Sequence, residues 1–185
     1  MEPITIDFET MPIVGNPLVT PPAPIGVAVW VPGEDPYYEH FDHEREIGEA
    51  PNISPDWQMD GQLRSIASYW SGTRDLLFHN APFDLSVARD WLRLDFPVWS
   101  RIHDTMYLAF HDNPYGEVGL KPTAERVLGV PPDEQDELHE WILENVPEAT
   151  KKTAGAYIYC APHELVEKYA IGDVVRTKRI FDALP

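Results

Sequence analysis

Apolar residues recur with two different spacings along the chain. In "ITIDFE" (4–9) every second residue is apolar, which is typical of a strand with one face in a protein core. The runs "IGVAVWV" (25–31) and "YYEHF" (37–41) predict two more strands, and their closeness in sequence favours an antiparallel meander.

Farther along the chain the spacing changes to that of helices. Leu63, Ile66 and Trp70 recur at intervals of three and four residues, which places them on one helical face. The same reasoning predicts helices over 61–70, 82–92, 104–111, 121–129, 133–146 and 162–184, short strands over 75–79 and 101–103, and an irregular connection over 147–162. Strands followed by alternating strands and helices predict an α/β fold with a mixed sheet between helices.

The composition fits one folded domain. With 185 residues, of which 43% are hydrophobic, the chain is long enough to bury a core, and we expect a single domain over 1–185. One cysteine excludes an internal disulfide and suits a reducing compartment. We recognise no signal peptide and no run of about eighteen apolar residues, so we expect a cytoplasmic protein without a membrane span.

The charge argues against a nucleic-acid partner. The formal net charge is −17, from 31 acidic and 14 basic residues, whereas nucleic-acid-binding proteins usually carry a basic surface. On charge alone, an acidic protein with no nucleic-acid role is the simplest interpretation. Any attraction to phosphate must therefore be local.

Two acidic residues lie within the first predicted strand. Asp7 and Glu9 point to the same face, roughly 6.5–7 Å apart along the chain, a spacing that suits two oxygen ligands of one cation. The pattern is weak alone, because Asp42 and Glu44 repeat it in what we interpret as a solvated turn. The alternative is that Asp7 and Glu9 face solvent from a one-sided sheet.

The last predicted helix places an acid among apolar residues. At 100° per residue, Asp173 falls on the same arc as Val166, Ala170 and Val174, and Tyr169 lies one turn before it. The polar side of this helix is predicted to hold Glu167, Lys178 and Asp182. The alternative role for Asp173 is an ion pair with Arg176, three residues later.

Asp84 lies on an apolar stripe of its own helix, with Val87, Ala88 and Trp91 at the following turns. The alternative is that Asp84 is an N-cap or a first-turn acid favoured by the helix dipole. Four carboxylates converging in a half-buried cleft would raise each other's pKa values, and divalent cations would remove that repulsion. Ligands that are all oxygen select magnesium or manganese, and two such ions about 3.5–4 Å apart suit a phosphodiester displacement.

Three segments resemble, in the same order, the three exonuclease motifs of the DEDD superfamily. They are "IDFET" with Asp7 and Glu9, "HNAPFD" with Asp84, and "YAIGD" with Tyr169 and Asp173. A tyrosine four residues before the last aspartate is similar to the tyrosine subclass. The segments "HDTMYLAF" and "GLKPTAERVLG" further resemble the proofreading exonuclease domains of family A, polymerase I type, DNA polymerases.

The resemblance implies a ribonuclease H-like (DnaQ-like exonuclease) fold with a mixed five-stranded sheet and helices on both sides. It implies removal of nucleotides from DNA 3′ ends with two divalent cations, Mg²⁺ or Mn²⁺. In this family pattern Asp7 bridges both metals, Glu9 and Asp173 hold the nucleophile-side metal, Asp84 holds the second, and Tyr169 orients the attacking water.

The resemblance also implies residues that bind the substrate. Thr10 and Met11 would lie along the terminal nucleotide, and Asn80 and Phe83 near its sugar or the preceding one, although Phe83 is equally compatible with a core position. The expected partners are a single-stranded or frayed DNA 3′ end, the nucleoside monophosphate product, and a polymerase domain or replication partner if the chain is part of a larger, for example viral, polymerase working in the host cytoplasm.

Two alternatives remain open from the sequence. One is a 3′–5′ exoribonuclease of the RNase D type, and the other is a non-catalytic nucleic-acid-binding module that keeps the fold. The segment "GLKPTAERVLG" favours the polymerase group, and the intact set of acids argues against a non-catalytic module.

Overall fold

The computed structural model describes residues 2–41, 61–129 and 133–185, without the side chains of 61–64 and 133–136. Its strands are β1 (Ile4–Thr10), β2 (Pro24–Trp30), β3 (Tyr37–His40), β4 (Leu76–Phe78) and β5 (Ile102–Asp104). Its α-helices are α1 (Gly61–Ser71), α2 (Ala81–Trp91), α3 (Thr105–Asp112), α4 (Leu120–Leu128), α5 (Asp133–Asn145) and α6 (His163–Ala183). Within the described residues, 3-10 helices cover Trp99–Arg101 and Ala154–Cys160.

The five strands form one mixed sheet in the order β3-β2-β1-β4-β5. β1 pairs with β2, and β2 with β3, in antiparallel fashion, so the predicted meander is confirmed. β4 and β5 extend the sheet by parallel pairing, with β4 beside β1. Parallel strands require a crossover, and α2 occupies the connection from β4 towards β5.

One face of the sheet packs against α1 and α2. The alternating residues Ile4, Ile6 and Phe8 of β1 enter a core with Trp70 of α1 and Leu85 of α2. All five side chains are buried. The period of two in "ITIDFE" therefore has its expected cause, and it leaves Thr5, Asp7 and Glu9 on the opposite face of β1.

The opposite face packs against α5, α6 and the 3-10 helix Ala154–Cys160. Ala28 of β2 and Tyr38 of β3 share a core with Ile142, Val166 and Val174 of the covering helices. Helices thus lie on both sides of a mixed five-stranded sheet, as predicted. Because α6 contacts β1, β2, β3 and β4, it is the element that places its own side chains over the middle of the sheet.

Two local predictions were wrong. The connection 147–162, predicted as irregular, contains the 3-10 helix Ala154–Cys160. Lys178, predicted on the polar side of α6, is 7% exposed, because its ammonium group reaches back to Asp182 on the next turn and to Glu2. The paired ammonium lets the long alkyl stem be covered by protein.

Across the parts of the chain that the structure describes, no helix is both long and apolar enough to cross a membrane.

Candidate metal and catalytic site

Three carboxylates from the two ends of the chain meet above the sheet. One oxygen from each of Asp7, Glu9 and Asp173 lies within 4.8 Å of the others. Asp7 and Glu9 come from the α6-facing side of β1, and Asp173 comes from the buried side of α6. Asp7 is half-buried, Glu9 is 7% exposed, and α6 covers their face of β1, so the alternative of a solvent-facing pair on a one-sided sheet does not apply.

Asp84 reaches β1 from the first turn of α2. Its side chain is buried, and its Oδ1 accepts a hydrogen bond of 3.0 Å from the backbone N–H of Phe8. Within the described part of the sheet β1 pairs with β4 at Ile4 and Thr5, so the N–H of Phe8 lies beyond that pairing and can donate to Asp84. Asp84 is not one of the three carboxylates that lie within 4.8 Å of each other, and it adjoins them through the backbone between Asp7 and Glu9.

The alternative roles considered for Asp84 are realised only in part. Asp84 is an acid of the first turn of α2, but the N-cap position belongs to Asn80, whose φ is 75°. The N-terminus of α2 is instead satisfied by Asp104, at the end of β5. The carboxylate of Asp104 accepts hydrogen bonds of 3.0 Å from the backbone N–H groups of Asn80 and Ala81. No local pattern in the sequence predicts this contact, because the two segments meet through the pairing of β4 with β5.

Burial makes the acids hard to ionise without a cation. It raises the pKa of Asp7 to about 6, with the charge of Lys121 opposing the rise. Burial, and then the charge of Asp7, raises the pKa of Glu9 to about 8. The pKa of Asp84 is well above its usual value, first through burial and then through the charge of Asp7, although the N–H of Phe8 stabilises its ionised form.

Two basic residues contact Asp173. Arg176 Nη1 lies 3.1 Å from its Oδ1, so the ion pair considered from the sequence is present. Lys121, from the first turn of α4, forms a second ion pair with the same oxygen. Sequence reasoning missed Lys121, because α4 and α6 are separate segments that pack together only in the fold.

Tyr169 precedes Asp173 by one turn of α6. The Nζ of Lys121 lies 4.4 Å from the centre of its ring, which is a cation–π distance. Burial, followed by the charges of Glu9 and Asp7, holds the pKa of Tyr169 well above its usual value. The phenol therefore keeps its proton at neutral pH.

A cavity of about 370 Å³ opens beside Glu9. Three of the four residues expected to bind substrate line it: Thr10, Met11 and Phe83. Phe83 also packs against the core beneath α2, so the core position considered from the sequence is present. Asn80 is not among the lining residues, and its backbone N–H is used by Asp104. Gly155, Ala156 and Ile158 complete the far wall, which the sequence did not indicate.

The donor set fits a divalent cation. Three carboxylates whose oxygens lie within 4.8 Å of one another offer only hard oxygen ligands, which suit magnesium or manganese better than zinc. The raised pKa values of Asp7 and Glu9 come first from burial, and that of Glu9 also from the nearby charge of Asp7. Asp42 and Glu44, the second copy of the Asp-x-Glu spacing, lie outside the described residues.

Comparison with known proteins gives a likeness of fold. No protein-family model and no curated protein matches the chain. Among solved structures, one described as the apo form of a nuclease superposes with a TM-score of 0.61 at 16% sequence identity, over 98% of this chain and 70% of that one. This chain therefore shares its α/β fold, a mixed five-stranded sheet between helices, with a nuclease.

Proposed function

We propose that this chain is a metal-dependent 3′→5′ exonuclease of the DEDD superfamily, tyrosine subclass, with a ribonuclease H-like fold over residues 1–185. The observation that carries the proposal is the convergence of carboxylate oxygens from Asp7, Glu9 and Asp173 within 4.8 Å. The likeness of fold to a nuclease supports it. So do the order and the spacing of the acidic motifs along the chain.

The residues that would hold two divalent cations, Mg²⁺ or Mn²⁺, are Asp7, Glu9, Asp84 and Asp173. Bound there, the cations would supply charge neutralisation and polarise both the attacking water and the scissile phosphate. Local positive charge of this kind would also draw a phosphate towards a protein whose formal net charge is −17.

Tyr169 would orient the attacking water. Its phenol remains protonated because burial and the neighbouring acids raise its pKa, so it offers one donor and one acceptor at a fixed position on α6. Attack of that water on phosphorus would break the bond to the 3′ oxygen of the preceding nucleotide. The terminal residue would then leave as a nucleoside monophosphate.

The cavity beside Glu9 would receive the terminal nucleotide. Its volume of about 370 Å³ is in the range of small-ligand sites, and Thr10, Met11 and Phe83 line it directly next to an acid of the site. Asn80 would contribute from the start of α2, near the sugar or the preceding nucleotide.

The proposed substrate is a single-stranded or frayed DNA 3′ end, cleaved in the cytoplasm, or in the host cytoplasm if the protein is viral. The acidic surface favours an arrangement in which a polymerase domain or another replication partner holds the DNA, as in proofreading. An RNA 3′ end is the alternative substrate of the same chemistry.

The test is digestion of matched single-stranded DNA and RNA oligomers, labelled at either end, with Mg²⁺ or with EDTA. With Mg²⁺, and not with EDTA, we expect DNA to lose a 3′ label from the start of the reaction as labelled mononucleotide. DNA with a 5′ label should give a series of progressively shorter labelled fragments. Asp7→Ala should abolish both products, whereas Asp35→Ala, at an exposed acid of the β2–β3 turn, should leave them unchanged. Faster digestion of RNA would favour the exoribonuclease, and undiminished digestion by Asp7→Ala would refute the site.

A further inference from the structure

A row of residues crosses the sheet from the acidic site to its edge. Asp7 of β1 is the Cα partner of Ala28 of β2, which is in turn the partner of Tyr38 of β3. Residues directly opposite each other in a sheet share a face. Tyr38 therefore lies on the face that carries the acids, although it belongs to a strand two places away and to no recognised motif.

Gly26 of β2 lies between Tyr38 and the acidic site and has no side chain to separate them. Glu9 is the partner of Gly26 on β2, and a Cβ placed on Gly26 would lie 2.0 Å from the hydroxyl oxygen of Tyr38 and 2.3 Å from its Cζ. The tyrosine ring therefore extends over β2 into the space that any side chain at position 26 would fill. Because Cβ atoms of directly opposite residues are about 4.5–5.5 Å apart, the hydroxyl is brought next to the side chain of Glu9.

The surroundings favour a hydrogen bond from this hydroxyl. Tyr38 is 8% exposed and Glu9 7%, so both polar groups are largely removed from water and need protein partners. Burial, followed by the charges of Glu9, Asp7 and Glu167, raises the pKa of Tyr38 far above its usual value, which keeps the phenolic proton in place. Also on this side of Tyr38 lie His163, with its ring centre 6.0 Å away, and Glu167, which contacts His163 at 3.5 Å.

We propose that Tyr38 is a positioning residue of the site, whose hydroxyl reaches over Gly26 to hold the carboxylate of Glu9. The inference rests on the proposed function, in which Glu9 is a ligand of the metal ions. A phenolic donor would fix the direction of that carboxylate. Gly26 is then required because the absence of a side chain there leaves room for the ring of Tyr38. No sequence motif indicates this requirement.

The first test is Mn²⁺ binding by calorimetry, with Tyr37→Phe as a matched control. Tyr37 is the neighbouring residue on the other face of β3, where it packs against the α1–α2 side of the core. We expect Tyr38→Phe to weaken Mn²⁺ binding about fivefold at pH 7 and Tyr37→Phe to leave it unchanged. In digestion, Tyr38→Phe should lower kcat with little change in KM for DNA.

The second test uses Gly26→Ala, whose Cβ would meet Tyr38 and also the backbone oxygen of Glu39 at 2.8 Å. Its effect on Mn²⁺ binding should be clearly smaller when Tyr38 is already alanine, because only the contact with Glu39 then remains. Non-additivity of this kind shows that the two positions act on the site through each other. Equal Mn²⁺ affinities for Tyr38→Phe and Tyr37→Phe, or an undiminished effect of Gly26→Ala without Tyr38, would overturn the inference alone. Absence of Mn²⁺ binding in the wild type would overturn the proposed function and this inference with it.

Discussion

The backbone N–H of Phe8 donates a 3.0 Å hydrogen bond to Oδ1 of Asp84, a residue 76 positions away in the chain. The donor lies between Asp7 and Glu9, so the position of α2 relative to both acids is fixed by the backbone that carries them. A side chain at residue 84 consequently has two separable properties, its charge and its ability to accept this hydrogen bond.

Replacing Asp84 should separate these properties. Asp84→Asn removes the negative charge and keeps an acceptor for the Phe8 N–H, so digestion should be lost with little change in stability. Asp84→Ala leaves that buried N–H without its partner and should cost a further ~1–3 kcal/mol in the free energy of unfolding. Urea denaturation in EDTA measures the difference, and equal stabilities of the two variants would contradict this account.

Lys121 should compete with the cation for Asp173. Its side chain is 15% exposed and pairs with an aspartate side chain that is 7% exposed, so Lys121→Met should destabilise the metal-free protein by about 2 kcal/mol. The same variant should bind Mn²⁺ more tightly, since no ammonium has to leave the acid first.

The matched control for Lys121 is Lys168→Met. Lys168 pairs with Glu137, and both side chains are about half exposed, so its loss should change stability by less than ~0.5 kcal/mol. Denaturation in EDTA and calorimetry with Mn²⁺ report the two effects. Unchanged Mn²⁺ affinity in Lys121→Met would mean that this ion pair does not oppose metal binding.

The metal-free protein should lose stability as the pH rises from about 4 to 8. The carboxyl of Asp7 moves from 3.8 to a pKa of about 6 on folding, and that of Glu9 from 4.5 to about 8. The folded state therefore binds more protons than the unfolded state across this window, and the free energy of unfolding falls as they are released.

Thermal unfolding in EDTA at pH 5 and pH 8 measures the pH effect. We expect the melting temperature of wild type to fall by roughly 5 °C or more over this interval, and that of Asp7→Asn/Glu9→Gln to fall much less. Saturating Mg²⁺ at pH 8 should raise the melting temperature of the wild type again, but not that of the double variant. If the melting temperature of the double variant fell as much as that of the wild type, the pH effect would belong to groups other than Asp7 and Glu9.

Tyr169→Phe should slow hydrolysis by about 10²-fold while changing the Mn²⁺ affinity little. The phenol is protonated at neutral pH, so its loss removes a water-orienting hydrogen bond without altering the charge of the pocket. Single-turnover digestion and calorimetry should be compared, with Tyr107→Phe, an exposed tyrosine of α3, as the control. A large loss of Mn²⁺ affinity would instead make Tyr169 part of the metal site.

The helical positions of the acids were predictable, because an acid on an apolar stripe is visible in the sequence. Asp84 and Asp173 both occupy such stripes, and both are buried. The contacts of Lys121, Asp104 and Tyr38 were not predictable in this way. Each contact joins two elements that pack together only when the sheet and its helices assemble. The spacing of residues within one element cannot predict such a contact.

The role of Gly26 was not predictable from the sequence either. In the sequence it is one small residue in an apolar strand, and its significance depends on which residues lie beside it on β1 and β3. The register of the sheet is set by turns and packing over many residues. Patterns confined to one element therefore predict which residues are buried far better than which residues touch.

The division of the acids between β1 and α6 also has a consequence during synthesis. Asp7, Glu9 and Asp84 leave the ribosome well before Asp173, so a nascent chain holds most of the proposed ligand set while α6 is still being translated. Until that helix folds back onto the sheet, the growing polypeptide lacks both Tyr169 and the last acid. On the proposed function, the nuclease would stay inactive towards surrounding nucleic acids until its own translation has passed α6.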